Sequence, residues 1–408
     1  MATVNSGLRS RSMVVTPSAP SIGQEDSQYA TELALRVSWA NPLTLMTMKL
    51  NSETSGTVDV HWWEDELVPY IDQINYGTGY NNSATGFTVD NASRFALGDL
   101  VRQPLTDEVV LVTSVGSTFI GVVRDFGQAT EGWTALAGSV SDNDYLQIIG
   151  NAFEPGHTFP TCRSTTPVER VNYCQNVRTP ISIPDQLKNT RMRTGPEMAL
   201  WEKKANLEHH QKLEMINWFG KPYRSDLGSY AAATGNTAPA TAGGVNHYLA
   251  YYASASHLVD QDDLTEYEFM DIAEVALDND APEMVCYCPR NLLGALAKWG
   301  VIKQQTDENT NTLGLNVVKY QGFGKIIHFV EHSMLKRNST SEYHYAFFLD
   351  MRQLKIWYMV GGATTLAPAG DHSTHGATKT DEEYMTTMCL EMKLPDNHLR
   401  LRYKTYSV

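Results

Sequence analysis

The chain has 408 residues, long enough for two or three domains with sizeable cores. Its 46 acidic and 32 basic residues leave a formal net charge of −14, which argues against tight binding of nucleic acid through phosphate neutralisation. No apolar run reaches the ~18 residues of a helical membrane span, and the first residues lack the apolar core of a signal peptide, so the expected site of synthesis is a reducing cytoplasm.

Residues 1 to 57 show weak periodicity, broken by Pro17, Pro20 and Pro42. They read as an extended arm that lies across something else rather than building a core of its own. Thr57–Pro69 is rich in β-formers and reads as a strand. Its expected partner comes much later, at Val171–Ile183, which makes an antiparallel ribbon over 58–85 and 157–190. Between the two lies a distinct module at 86–156. Phe87–Val89, Leu100–Val101, Glu108–Val115, Thr118–Val123 and Tyr145–Ile149 are short β runs separated by Gly98, Gly116, Gly127 and Gly138. That spacing predicts a small β-barrel or sandwich inserted at the ribbon's tip.

The return strand leads into a long helix predicted over 194–220. Thr194 and Glu197 have capping-box spacing, and Pro196 occupies the first turn, where its missing N–H costs nothing. Gly220 is read as a left-handed C′ residue and Pro222 as a stop. The rod is roughly 36 Å long at 1.5 Å per residue. Met198, Trp201, Ala205, Ile216 and Phe219 mark an apolar stripe interrupted by His209 and Lys212. Lys203, Lys204, His209, His210 and Lys212 are read as a wet face. On that reading, aspartate at Trp201 or Ile216 blocks folding and alanine at His210 is mild.

The polar stretch from Ser225 to Asn246 reads as a loop. Beyond it, helices and strands are mixed. Thr265 and Glu268 form a capping box before Phe269, Ile272, Ala273 and Ala276. Glu283–Cys288 is a strand and Asn291–Trp299 a helix stopped by Gly300. Lys325–Val330, Tyr345–Leu349 and Leu354–Val360 are further strands. The mixture predicts an α+β domain over 251–380. Thr386–Pro395 and Leu399–Tyr403 read as a closing pair of strands within 381–408.

Motifs for chemistry are scarce. Gly322 and Gly324-Lys325 run into Ile-Ile, so they supply neither a phosphate cradle nor a magnesium hydroxyl. His209 and His210 are adjacent on a helix and point about 100° apart, so they cannot share a metal. Asp371, His372 and His375 form the best metal-like cluster, in a Gly/Thr-rich loop that needs further ligands from elsewhere. The five cysteines, Cys162, Cys174, Cys286, Cys288 and Cys389, are odd in number and irregular in spacing, which predicts reduced thiols rather than a disulfide framework. No catalytic set, cofactor or metal is expected.

The order of elements, read together, resembles the major capsid proteins of tailed bacteriophages, with the Hong Kong ninety-seven-like shell fold. The stretches that carry the resemblance are Gly98–Val101, Glu108–Val115 and Val122–Gly127 in the insertion. Asn291–Gly300, Phe323–Ile327 and Phe348–Asp350 carry it in the α+β part. The resemblance implies an N-arm (1–57), an extended loop (58–85 and 157–190) with an inserted all-β domain (86–156), and a peripheral domain (191–250) carrying the spine helix. An axial domain (251–380) and C-terminal strands returning to the peripheral domain (381–408) complete it. It implies a subunit that assembles with itself as pentamers and hexamers into an icosahedral virion shell around double-stranded DNA, without sequence-specific binding and without a membrane. A portal, a separate scaffolding protein and a decoration protein are the expected partners. Trp62, Trp63, Trp201, Ile216, Phe219, His209 and His210 are the structural or interface candidates. A virion decoration or tail adhesion protein, and a metal hydrolase built on Asp371, His372 and His375, are the alternatives.

Overall fold

A computed structural model describes residues 41–127, 138–156, 165–190, 197–224, 239–278, 281–299, 317–322, 324–368 and 379–407. Residues 1–40 of the expected arm, the capping box at Thr194, and the Asp371, His372 and His375 cluster lie outside them.

The described chain opens with helix α1 (Pro42–Leu50), β1 (Ser52–Ser55) and β2 (Asp59–Glu64). Six strands follow: β3 (Ile71–Gln73), β4 (Gly86–Thr88), β5 (Asp99–Gln103), β6 (Glu108–Val115), β7 (Phe119–Val123) and β8 (Tyr145–Asn151). β9 (Val168–Tyr173), β10 (Gln175–Pro184) and the short α2 (Asp185–Asn189) lead to the long α3 (Glu197–Phe219). Next come α4 (Val245–Tyr252), β11 (Leu258–Leu264), α5 (Glu266–Leu277), β12 (Glu283–Cys288) and α6 (Arg290–Trp299). β13 (Val317–Gly322), β14 (Lys325–Glu331), β15 (His344–Leu349), β16 (Leu354–Met359), β17 (Thr365–Pro368), β18 (Lys379–Met392) and β19 (Leu399–Tyr406) complete the chain.

The class is α+β. Two compact units divide the chain, one of residues 1–62 and 171–408, the other of residues 63–170. In the first unit, one sheet has the order β1-β16-β18-β10 with β17 also on β18, and another has the order β11-β19-β15-β12-β14-β13. α3 lies on β10 and β18. β10 alternates, with Val177, Thr179, Ile181 and Ile183 buried and the residues between them exposed, as a strand with one covered face must. Ile181 and Ile183 pack with Ala205 of α3. Leu213 and Trp218 of α3 join Leu43, Tyr248, Ile356, Leu390 and Phe347 in the main core. Each such fully buried side chain contributes about 1.5–3 kcal/mol. A second core lies between α5, α6 and the six-stranded sheet, around Phe269, Leu292, Phe329 and Phe348. The Thr265–Glu268 capping box forms as expected.

The second unit is a closed barrel of order β3-β8-β5-β6-β7-β4. Closure comes from the bridge Ile74–Val89, flanked by Asn75 N–H to Thr88 O at 2.9 Å and Asp90 N–H to Gln73 O at 3.0 Å. Phe87, Val101, Val110, Ile120 and Leu146 fill its interior. Inside this unit, the guanidinium of Arg124 binds Glu108 through both oxygens at 2.5 Å and sits 5.1 Å from the Phe87 ring.

Several expectations change. The module begins near Ile71, not at residue 86, because β3 is one of the barrel's staves. The expected long ribbon is split: β9 pairs with β2, whereas β10 pairs along its whole length with β18. Ten cross-strand pairs, from Gln175–Met388 to Pro184–Lys379, hold β10 on β18 in place of the ribbon expected between Thr57–Pro69 and Val171–Ile183. The closing strands do not pair with each other, since β18 lies in the α3 sheet and β19 in the other. β16 and β17, expected in an axial domain, also join the α3 sheet. The end of α3 differs too. Gly220 is not left-handed. It is needed because a Cβ there would lie 2.4 Å from Ala242 O and 2.6 Å from Ile216 O, so the helix end and the Gly243-Gly244 turn touch backbone to backbone.

Candidate functional site

The most buried polar cluster joins α3 to the first described helix. Glu214 is fully buried. Its carboxylate accepts from the backbone N–H of Leu43 at 3.1 Å and of Thr44 at 2.8 Å, and from the Thr44 hydroxyl. These N–H groups belong to the first turn of α1, where helical donors have no intrahelical partner, and a negative charge there also suits the helix dipole. Pro42 at the start of α1 removes one further donor. From the other side, Trp218 Nε1–H donates at 3.0 Å and His332 Nε2–H at 2.7 Å. The His332 tautomer follows from its other nitrogen, which accepts from Met334 N–H at 3.3 Å. Burial pushes the Glu214 pKa up, but its contact with His332 and the hydrogen bonds from Thr44 outweigh it and hold it below the ordinary value. The carboxylate is therefore an anchor for α1, enclosed on every side.

A second polar contact lies further along the same helix. His209 is completely buried, with Nδ1 3.0 Å from the Thr179 hydroxyl of β10 and Nε2 2.8 Å from the Thr386 hydroxyl of β18. Burial, aided by His210 and Lys212, lowers its pKa to about 4. His209 is thus a neutral bridge across two strands, not part of a wet face. The buried stripe of α3 is Ala205, His209, Leu213, Glu214, Asn217 and Trp218. Half of it is polar, which is why apolar periodicity pointed elsewhere.

The other sequence candidates separate by burial. Trp62 is interior and packs on Tyr248 at 5.6 Å. Trp63, its neighbour on β2, is 63% exposed. Trp201 is 44% exposed, with the Lys204 ammonium 4.7 Å from its ring, so the expectation that aspartate there blocks folding is withdrawn. Ile216 and Phe219 are half-buried against the main core, and Phe219 meets Tyr345 edge-on at 5.4 Å. His210 is half-buried. Sequence reading missed Thr44, Glu214, Trp218 and His332. The available signal was the i, i+4 pair Glu214 and Trp218, visible only if polar residues are admitted to a buried stripe.

Two surface features remain. A groove of about 600 Å³ runs between α3 and β10, lined by Val177, Arg178, Gln211, Lys212, Met215 and Ile216. The barrel carries exposed apolar side chains on its outside, among them Ile71, Leu105, Phe119, Val123, Tyr145 and Ile149. Among the described residues, no three His, Cys, Asp or Glu side chains are grouped to hold a metal, and no helix is long and apolar enough to cross a membrane.

The family model described as SU10 major capsid protein matches residues 15–405. The chain belongs to that major capsid protein family. The major capsid protein of Pseudomonas phage PaMx41 is 24% identical over 190 residues, covering 46% of this chain and 43% of the relative; the match thus spans less than half of that protein's length. Among solved structures, the capsid of an empty GTA particle is similar with a TM-score of 0.49 at 8% identity, covering 95% of this chain and 97% of the other. One from Mycobacterium phage Bobi has a TM-score of 0.46 at 10% identity, covering 94% and 97%. For a capsid subunit, the buried anchor and the histidine bridge make structural sense: both hold separate stretches of chain onto the long helix.

Proposed function

We propose that this capsid protein assembles with copies of itself, as pentamers and hexamers, into an icosahedral shell that encloses double-stranded DNA. The observation that carries the proposal is the family match across nearly the whole chain. The net charge of −14 supports a container that does not grip its contents. The protein is made in the cytoplasm of a bacterial host and ends in the virion. A portal, a separate scaffolding protein and a decoration protein act with it, and its own role is architectural rather than enzymatic.

Trp63 and Trp201 are the side chains we assign to contacts between copies. Large exposed aromatics of this kind anchor interfaces, and both lie on the surface of the single chain. Electron microscopy of the expressed protein is the test. Closed shells built of five-fold and six-fold capsomers are expected; particles of another architecture, or none with the protein's natural partners present, would refute the reading. A Trp201→Glu variant that remains folded but yields fewer shells would place Trp201 at a contact.

A further inference from the structure

We infer that Cys174 and Cys389 form an oxidation-dependent disulfide inside the subunit, a modification site set by the strand register. The two residues face each other across adjacent strands. In the β10–β18 ladder Gln175 pairs with Met388, and the same antiparallel register brings Cys174 opposite Cys389. Directly opposed residues have Cβ atoms about 4.5–5.5 Å apart, the near end of which meets the roughly 4.5 Å upper bound for a disulfide. The two sulfurs are already 3.4 Å apart, so closing to a bond length near 2.05 Å takes a shift of about 1.4 Å. Both side chains are buried, in a small apolar cluster with Val60 and Ala242.

The chemistry is asymmetric in a useful way. The hydrogen bond between the two sulfurs lowers the pKa of the Cys174 thiol, while the same contact, with burial, raises that of Cys389. Cys174 is therefore the nucleophile. With hydrogen peroxide as oxidant, the Cys174 thiolate attacks one peroxide oxygen. The O–O bond breaks, the departing hydroxide takes a proton to become water, and Cys174 carries a sulfenic acid. Cys389 then loses its proton as its sulfur attacks the Cys174 sulfur. The S–S bond forms and the sulfenic hydroxide leaves as a second water. Two thiols are oxidised and one peroxide is reduced. Cys286 and Cys288 are the internal contrast. They are buried on one strand, about 6.6 Å apart along it, at the far edge of the allowed range, and burial, with Cys288 beside it, raises the Cys286 thiol.

The bond has a definite structural consequence. Cys174 sits where the chain changes partners: its own N–H binds Val58 O at 2.8 Å, next to β2, while the residues after it pair with β18. A link to Cys389 staples that junction to the middle of the α3 sheet. In a reducing compartment the thiols stay apart, and the link forms once the protein meets an oxidising medium. The inference rests on the two side chains and not on the shell reading.

The test uses the purified full chain, reduced, desalted and then exposed to hydrogen peroxide, both in buffer and in urea below the unfolding midpoint. Two of the five thiols should disappear from a titration in denaturant. Non-reducing peptide mapping should give one product joining the Cys174 and Cys389 peptides, two hydrogens lighter than their sum. Dithiothreitol should reverse it and lower the melting temperature of the oxidised protein. Cys174→Ala and Cys389→Ala should each abolish that product; two variants guard against one failing to fold. Both thiols remaining free throughout, a stable sulfinic acid at Cys174, or pairing of either cysteine with Cys162 would overturn the inference.

Discussion

At the scale of single residues, buried polar groups decide more than the apolar ones that a pattern search favours. His209, His344 and His398 all lie inside the protein, and burial is the chief cause that lowers each pKa to about 4. A histidine neutral in the folded state contributes fully above its ordinary value near 6.5. As pH falls below that, the unfolded chain binds protons that the folded chain refuses, so stability drops until the folded value near 4 is reached. Each pKa unit corresponds to about 1.4 kcal/mol per group. The urea midpoint is therefore expected to fall between about pH 7 and about pH 5, and an unchanged midpoint would contradict the burial of these rings. Glu214 adds a separate loss at lower pH: its pKa is depressed, so its contribution disappears only as pH falls through the folded value. His209→Ala takes one hydrogen bond from each of the Thr179 and Thr386 hydroxyls, which keep their contacts with Lys212 and Thr364, and should cost about 1–3 kcal/mol, read as a lowered denaturant midpoint. Trp201→Asp, by contrast, alters an exposed ring and should change the melting temperature little, whereas Leu213→Asp should leave no soluble folded protein.

At the scale of elements, the long helix and the barrel behave differently. The helix was legible from its length and its end at Phe219, and Pro222 follows as expected. Its orientation was not legible, because the interior stripe includes His209, Glu214 and Asn217, whose hydrogen-bond partners come from residues up to 177 positions away. The barrel was legible as short strands between glycines, but its first stave was hidden. β3 has three residues, and only its pairing with β8 and the bridge at Ile74 reveal it as part of the closure. Deleting 86–156 would strand β3 without β8 and expose Ile74. That deletion should therefore give aggregating protein. The fragment 63–170, which contains every stave and the whole core of the barrel, should unfold in one cooperative transition by circular dichroism. A fragment that shows no transition would mean the barrel depends on the rest of the chain.

At the scale of the whole molecule, the α3 sheet collects strands from distant parts of the chain. β1, β10, β16, β17 and β18 enter it from residues 52 to 392. Such a sheet forms late, because each pairing must first close a long loop. α1 is fastened to the result by Leu43 in the main core and, at its first turn, by the Glu214 carboxylate. Glu214→Gln keeps the shape but removes the charge that the first-turn N–H groups of α1 and His332 engage. It should loosen α1 before it unfolds the core, seen as faster hydrogen exchange over 42–50 with a smaller change in the global midpoint. Equal losses in both would mean that α1 and the core form one cooperative unit.

The sequence alone determined the α+β class, the presence of a β module ahead of a long helix, the want of catalytic motifs, and the resemblance to a phage shell subunit. Those follow from local signals: turn glycines, capping residues, strand alternation and the order of segments. Only the tertiary structure decided which strands pair, where the barrel closes, which face of the long helix is inward, and that Cys174 stands opposite Cys389. Each of these depends on partners far apart in the chain, and on polar side chains whose burial is offset by hydrogen bonds that no local pattern reveals.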